Sequence, residues 1–197
     1  MALNLYFLDN RAAWSRLVEN LPEPQRDLHF TPEYGEIYAD VYGFRPFLAA
    51  YDAGSRGFVI QPFVERPLSG LPFLKGNSET FFDIANPYGY GGPAIAANDP
   101  DDAENLLREF ESHFAKEASQ RGWASEFSSV HPLLGNREKL EAIGLENLKP
   151  QKSVVYIDLA HSLDDLWVQF DKGHKSSIKK AERLGVRVEK VDPTAET

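Results

Sequence analysis

Apolar residues recur along this chain in two alternating patterns, one helical and one extended. The spacing of a helix face predicts helices at 10–21, 31–43, 99–121, 137–144, 162–170 and 174–185. Extended apolar runs predict a hairpin at 44–68 and strands at 80–85, 123–130, 152–159 and 186–191. Helices interleaved with strands indicate an α/β fold, with a mixed, mainly antiparallel sheet flanked by helices.

Two of the predicted helices carry capping residues. Thr31 and Pro32 suit the N-cap and the first helical position, and Gly43 suits the end of the same helix. Ser162, with Asp165 three positions later, has the spacing of a capping box. These residues define two helix starts independently of the apolar pattern.

The C-terminal part of the chain is predicted to differ from the rest. Residues 1–160 contain enough alternating elements for one α/β domain, whereas 161–197 end in a linker helix and one strand. We therefore expect 161–197 to be the opening of a truncated second domain. Its unpaired strand would be a site of self-association.

The composition excludes several kinds of chemistry. The 197 residues include no cysteine, which excludes disulfides, thiolate metal sites and a thiol nucleophile. The N-terminus lacks the basic region and long apolar run of a secretory signal, and no apolar run approaches the length of a membrane span. We expect a cytoplasmic protein without membrane insertion.

Charge is distributed unevenly along the chain. The net charge is −9, yet residues 172–197 contain seven Lys and Arg against four Asp and Glu. An acidic body repels polyanions at long range, so contact with a phosphate-bearing partner is expected only at this basic segment. Its Lys175, Lys179 and Lys180 form either an ordinary solvated helix face or a phosphate contact.

The segment NPYGYGGP, residues 86–93, raises the question of a phosphate-binding loop. It is not a Walker loop, because Pro93 and Ala94 follow Gly92 where Lys and Ser or Thr are needed. A dinucleotide-type loop is disfavoured because Pro93 lacks an amide donor and the next helix begins several residues later. Three interpretations stay open: a phosphate cradle, a substrate wall carrying Tyr88 and Tyr90, and a structural bend.

The histidines give no pattern from which a metal site is predicted. They are His29, His113, His131, His161 and His174. No pair is spaced i, i+4 on one helix, and the spacing shows no carboxylate ligand. Ser128 and Ser129 lie near His131 but lack the Gly-x-Ser-x-Gly of a nucleophile elbow. We expect the His131 ring to hydrogen-bond to backbone, and the sequence identifies no catalytic residue.

Three segments resemble the Fem-like branch of the acetyltransferase-fold superfamily. They are NPYGYGGP, SEFSSVHPLLGN and VVYIDLAHSLDDLWVQFDKGHKSSIKKAERLGV, in this order and spacing. The segment TPEYGEIYADVYGFRPFLAAY is similar to the first helix and hairpin of that branch, so the resemblance covers about residues 28–191. The branch includes the aminoacyltransferases that build peptidoglycan bridges, in which two acetyltransferase-like domains hold substrate between them.

This resemblance implies a function, partners and site residues. The chain would be the N-terminal half of an acyl- or aminoacyltransferase that acts on an amine of a cell-envelope precursor, inactive alone. The acyl donor, aminoacyl-tRNA or acyl-CoA, would be a co-substrate rather than a bound cofactor, and the precursor would carry phosphate. The implied substrate-binding residues are Tyr88, Gly89, Tyr90, Gly91, Gly92, His131, Lys175, Lys179 and Lys180.

A second hypothesis requires no chemistry. The basic helix at 174–185 would dock a partner or a second copy of the chain, which would make the protein a binding or assembly module. The oligomeric state in solution distinguishes this hypothesis from the first.

Overall fold

A computed structural model describes residues 2–74, 81–145, 147–150 and 152–191. They belong to two compact units, residues 1–150 and 151–197, which are treated separately below. The strands of the first unit are β1 (Ala2–Tyr6), β2 (Arg45–Asp52), β3 (Gly57–Pro67), β4 (Phe82–Ala85), β5 (Ala94–Ala97) and β6 (Trp123–Phe127). Its α-helices are α1 (Arg11–Glu19), α2 (Pro32–Tyr42), α3 (Ala103–Arg121) and α4 (Asn136–Ala142), and the second unit contains α5 (Leu163–Gln169) and α6 (Lys172–Arg183).

The six strands form one open sheet in the order β1-β2-β3-β4-β6, and β5 also pairs with β3. All of the pairs are antiparallel except β4 with β6, which is parallel. The structure therefore confirms a mixed α/β fold with a mainly antiparallel sheet flanked by helices.

Side chains that alternate along β2 divide the core between the two faces of the sheet. Phe47 and Tyr51 pack with Phe110 of α3 on one face. Leu48, from the opposite face, packs with Trp14 of α1. Because successive strand residues point to opposite faces, one strand supplies both cores, and helices cover the sheet on both sides.

The predicted helix caps are confirmed. Thr31 Oγ1 accepts a hydrogen bond from the Tyr34 amide at 3.3 Å, and Gly43 follows the last turn of α2 with φ of 66°. Ser162 Oγ accepts from the Asp165 amide at 3.2 Å at the start of α5. Among the described residues, no helix has both the length and the apolar character needed to cross a membrane.

The strands predicted at 152–159 and 186–191 are wrong. The structure assigns no strand to either segment, and Val155 and Val188 are 93% and 96% exposed. A strand exists only when a neighbouring strand pairs with its amides and carbonyls, and no strand among the described residues pairs with either segment. Residues 192–197 and Thr80, the first residue of another predicted strand, lie outside the described residues. That 161–197 opens a second domain stays a prediction.

Candidate functional site

The glycine loop, which we define as Asn86–Pro93, leaves the sheet between two strands that share one neighbour. β3 pairs with β4 through Val64–Pro67 and with β5 through Gly57–Ile60. Residues 61–63 of β3 therefore lie between the two pairings, at the point where the loop is excluded from the ladder. The loop connects β4 and β5, which would otherwise form one long strand along β3. The pairing of both strands with β3 fixes the two ends of the loop.

The segment that follows β6 holds the glycine loop in place. The Gly91 amide donates to the Ser129 carbonyl at 2.8 Å, and the His131 amide donates to the Gly91 carbonyl at 3.0 Å. The Ser129 amide in turn donates to Asn86 Oδ1 at 2.7 Å. These bonds commit the Gly91 amide, so it is not available to a phosphate. The arrangement favours a structural or substrate-wall role for the loop over a phosphate cradle.

The two tyrosines of the loop lie in different environments. Tyr88 is 82% exposed, and its backbone is held by α2: Tyr34 Oη donates to its carbonyl and its amide donates to Tyr38 Oη, both at 2.6 Å. Burial, followed by the hydrogen bond with Tyr34, raises the pKa of Tyr38 to about 12. Tyr90 instead packs edge-on against the rings of His29 and His131, at centroid distances of 5.7 and 5.3 Å.

Next to Tyr90, the carboxylate of Asp27 contacts the imidazoles of His29 and His131. We call Asp27, His29 and His131 the histidine cluster. Asp27 Oδ1 is hydrogen-bonded to His29 Nδ1, and Asp27 Oδ2 lies 3.3 Å from His131 Nε2. The Leu133 amide donates to His131 Nδ1 at 3.2 Å, which confirms the expected bond between the His131 ring and backbone. In this arrangement His131 carries its proton on Nε2, and Asp27 accepts from both rings.

Burial and hydrogen bonding set the charge states of the cluster. Burial lowers the pKa of His131, although the nearby Asp27 opposes this effect. Burial acts to raise the pKa of Asp27, but hydrogen bonds from the His29 amide and ring outweigh it and lower the pKa. An ionised Asp27 beside a neutral His131 follows from these shifts near neutral pH.

Of these three residues, only His131 was predicted from the sequence. Asp27 and His29 are separated by one residue. Asp27 caps the short 3₁₀ helix Leu28–Phe30, and its side chain accepts from the His29 amide at 2.9 Å, which holds the two residues together. The Asp-x-His spacing is the feature of the sequence that could have indicated this pair, since two such side chains can contact the same ligand. Their meeting with His131 depends on the tertiary fold.

A groove of about 260 Å³ lies at the other end of the loop. We call it the carboxyl groove, because Glu111 of α3 and Glu126 of β6 both line it. Gln61 of β3 donates from Nε2 to Glu126 Oε1 at 2.7 Å. The remaining lining residues are Gly92, Pro93, Ser128, Val130, Leu140, Leu145, Asn147 and Leu148.

Both carboxyl groups of the groove are shifted toward the protonated form. Burial, followed by repulsion from Glu126, raises the pKa of Glu111 to about 7. Glu126 is exposed as a residue, but desolvation of its carboxyl group raises its pKa, against the opposing hydrogen bond from Gln61. A carboxyl group that titrates near neutral pH can take up and release a proton under ordinary conditions. The sequence alone identified no such acid–base pair, because the shifts arise from burial in the folded chain.

Replacing Glu111 by glutamine is expected to change the pH dependence of stability. The carboxyl has an ordinary pKa of 4.5 and a raised pKa of about 7 when folded, so the folded chain binds more protons between these values. The free energy of unfolding of the wild type therefore falls as pH rises from about 4.5 to 7. At pH 8 we expect Glu111→Gln to be more stable than wild type by about 2 kcal/mol, because solvent screens only part of the cost of the buried carboxylate charge.

Denaturant unfolding at pH 4 and pH 8 measures this difference. Glu104→Gln, an exposed position on the same helix, makes the same change in charge and serves as the control. Equal pH profiles for the wild type and Glu111→Gln would show that the Glu111 carboxyl titrates normally.

The three predicted lysines belong to α6 of the second unit. Lys175 Nζ donates to the Val168 carbonyl at 3.1 Å, while Lys179 and Lys180 are exposed. The structure thus assigns Lys175 a contact at the end of α5. A role for the three lysines in substrate binding stays a prediction.

The double substitution Lys179→Ala, Lys180→Ala is expected to leave folding intact. Both side chains are exposed on α6, and substitutions at such positions change stability by about 0.5 kcal/mol or less. Thermal unfolding followed by circular dichroism measures the effect. A loss above about 2 kcal/mol would mean that these lysines stabilise the fold.

Comparisons of the chain with protein-family models, curated proteins and solved structures give no match. They therefore leave the Fem-like resemblance of the motifs as an expectation. Within the site, the carboxyl groove is the feature with the clearest chemical consequence.

Proposed function

We propose that this chain takes part in acyl or aminoacyl transfer to an amine of a cell-envelope precursor, as an acetyltransferase-like domain of a Fem-like enzyme. Two observations support the proposal besides the order of the sequence motifs. The sheet is mixed and contains one parallel pair, β4 with β6, at the end from which the glycine loop departs. The carboxyl groove lies beside that loop, and it is the observation that carries the proposal.

The carboxyl groove has the charge that an amine acceptor requires. A primary amine reaches the protein as an ammonium ion, and Glu111 and Glu126 repel each other when both are ionised. A cation between them relieves that repulsion and replaces lost solvation. Gln61 holds Glu126 in place through its hydrogen bond. The groove therefore favours a cationic ligand over a neutral one.

Glu111 is the residue that we assign to proton transfer. Its carboxylate takes one proton from the bound ammonium, because its pKa of about 7 is matched to neutral pH. The freed nitrogen lone pair attacks the acyl carbonyl, the C–N bond forms, and the ester or thioester bond breaks. A second proton passes from the nitrogen to the departing oxygen or sulfur, and the products are an amide and an alcohol or thiol.

Transfer of this kind depends on positioning rather than on a covalent intermediate. The chain has no cysteine to form a thioester with the acyl group. Bringing the amine and the activated ester together supplies much of the rate enhancement. The acyl donor would be aminoacyl-tRNA or acyl-CoA, and the basic residues of α6 would meet phosphate groups of the donor or the precursor.

Binding of a matched pair of acceptors tests the proposal. The probe is a nucleotide-linked muropeptide with a free lysine side-chain amine, compared by calorimetry with the same compound acetylated on that amine. We expect acetylation to weaken binding by about tenfold, the loss of one charge contact. Glu126→Gln should bind the free amine as weakly as the wild type binds the acetylated compound. Glu104→Gln should bind the free amine as tightly as the wild type does. Equal affinity for both compounds would overturn the proposal.

A binding or assembly role is the second candidate, and a separate observation favours it. Residues 186–191 follow α6 with exposed valines, and no strand among the described residues pairs with them. An exposed apolar segment without a partner strand can pair with another chain. Light scattering tests the idea: a concentration-dependent increase in mass that Val188→Lys abolishes would support it, and a monomer at all concentrations would oppose it.

A further inference from the structure

The histidine cluster has a chemistry that the proposed function does not use. The candidate ligand atoms of Asp27, His29 and His131 all lie within 4.8 Å of one another. His131 is buried, and the other two side chains are partly buried. We propose that the histidine cluster is a zinc site in which Asp27, His29 and His131 supply three ligands.

The types of the donor atoms select the metal. Two imidazole nitrogens and one carboxylate oxygen form a donor set that suits Zn²⁺, whereas Ca²⁺ and Mg²⁺ prefer oxygen ligands throughout. The carboxylate supplies one negative charge between two neutral rings. Three protein ligands leave one position of a tetrahedral site for water or for a group of a bound molecule.

Backbone contacts hold the three donors near one another before any metal binds. The Asp27 side chain accepts from the His29 amide at 2.9 Å, which fixes these two residues within one short turn. The His131 amide donates to the Gly91 carbonyl at 3.0 Å, which ties the third donor to the glycine loop. Tyr90 packs against both imidazoles and restricts their rotation. A site that is largely preformed loses less conformational entropy on binding.

Zinc must displace the present hydrogen bonds, and the geometry shows what this requires. His131 now carries its proton on Nε2, since the Leu133 amide donates to Nδ1 at 3.2 Å. Coordination through Nε2 moves that proton to Nδ1, so the Leu133 bond breaks. Coordination of His29 through Nδ1 likewise moves its proton to Nε2. A neutral hydrogen bond contributes far less than a metal–ligand bond, so these changes do not prevent binding.

The proton shifts provide a signature that a purely structural cluster lacks. In the metal-free protein, ¹⁵N spectra should show His29 protonated on Nδ1 and His131 on Nε2. Zinc should reverse both tautomers and shift the Leu133 amide resonance. Imidazoles that keep their tautomers in zinc would overturn the proposal, even if zinc changed the stability for other reasons.

Thermal unfolding with zinc gives the second readout. Protein treated with a chelator and then given ZnCl₂ at about 100 times the dissociation constant should unfold about 5–10 °C higher. His29→Gln keeps a donor for Asp27 but removes the imidazole, so it should lose this increase. His131→Gln should lose it as well, and if that variant does not fold, His29→Gln decides alone.

Exposed histidines supply the control. His174 is exposed, and its Nδ1 lies 2.7 Å from Asp171 Oδ2. This pair therefore offers zinc an imidazole and a carboxylate outside the cluster. His174→Gln should keep the full zinc-dependent increase. An increase that survives His29→Gln, or no increase in the wild type, would overturn the site. Neither result bears on amine binding in the carboxyl groove, because the two sites share no residue.

Discussion

Replacing Gly57 by alanine is expected to destabilise the protein by about 4 kcal/mol. Gly57 begins β3 with φ of 125°, a conformation that L-residues with a side chain rarely adopt. A Cβ atom there would overlap the Ala96 carbonyl of the paired strand β5. Because that neighbour is backbone, relief requires β5 to move away from β3 and lose ladder hydrogen bonds. Chemical denaturation of the variant measures the loss.

A glycine in the same turn separates backbone strain from overlap. Gly54 has φ of 64°, and a Cβ added there meets no atom within 4 Å. Gly54→Ala should therefore cost only the strain of a left-handed alanine, about 1–2 kcal/mol. If Gly57→Ala costs no more than Gly54→Ala, the pairing of β5 with Gly57 is not as described.

The difference between predicted and observed strands has one physical cause. The hairpin of β2 and β3 was predictable because both partners and their turn lie within one stretch of sequence. β1 and β5 were not predicted, since they are strands because β2 and β3, which lie elsewhere in the sequence, pair with them. The segment 152–159 has the stronger extended pattern, but no strand among the described residues pairs with it. Helix hydrogen bonds are local, and helices were accordingly easier to predict.

The candidate site divides in the same way. The glycine loop and His131 are recognisable in the sequence by composition and motif, and the structure places them in contact. Glu111 and Glu126 look like ordinary charged residues in the sequence, and only the fold brings them into one groove and raises the pKa of each. The sequence identifies segments with unusual backbone conformation. A shifted pKa, or a set of side chains that can bind one ligand, can be recognised only in the folded structure.

Gly89 is where the glycine loop and the histidine cluster meet, so the second large effect is expected there. Its φ is 99°, and a Cβ atom would lie 2.5 Å from His29 Nε2 and 3.0 Å from Cδ2. His29 cannot simply rotate away, because Asp27 holds its Nδ1 and Tyr34 packs against its ring at a centroid distance of 4.9 Å. Gly89→Ala should therefore cost about 3 kcal/mol, from backbone strain and from the displaced imidazole together.

Two measurements on Gly89→Ala separate these contributions. Gly122→Ala carries the strain alone, since Gly122 has φ of 70° and an added Cβ meets nothing within 4 Å. Its loss in denaturant unfolding should be about 1–2 kcal/mol, clearly smaller than that of Gly89→Ala. The imidazole resonances of His29 should shift in Gly89→Ala and stay unchanged in Gly122→Ala. If the His29 resonances stay unchanged in both variants, the loop does not pack against His29. Glycine at position 89 is then required only for the backbone conformation of the turn.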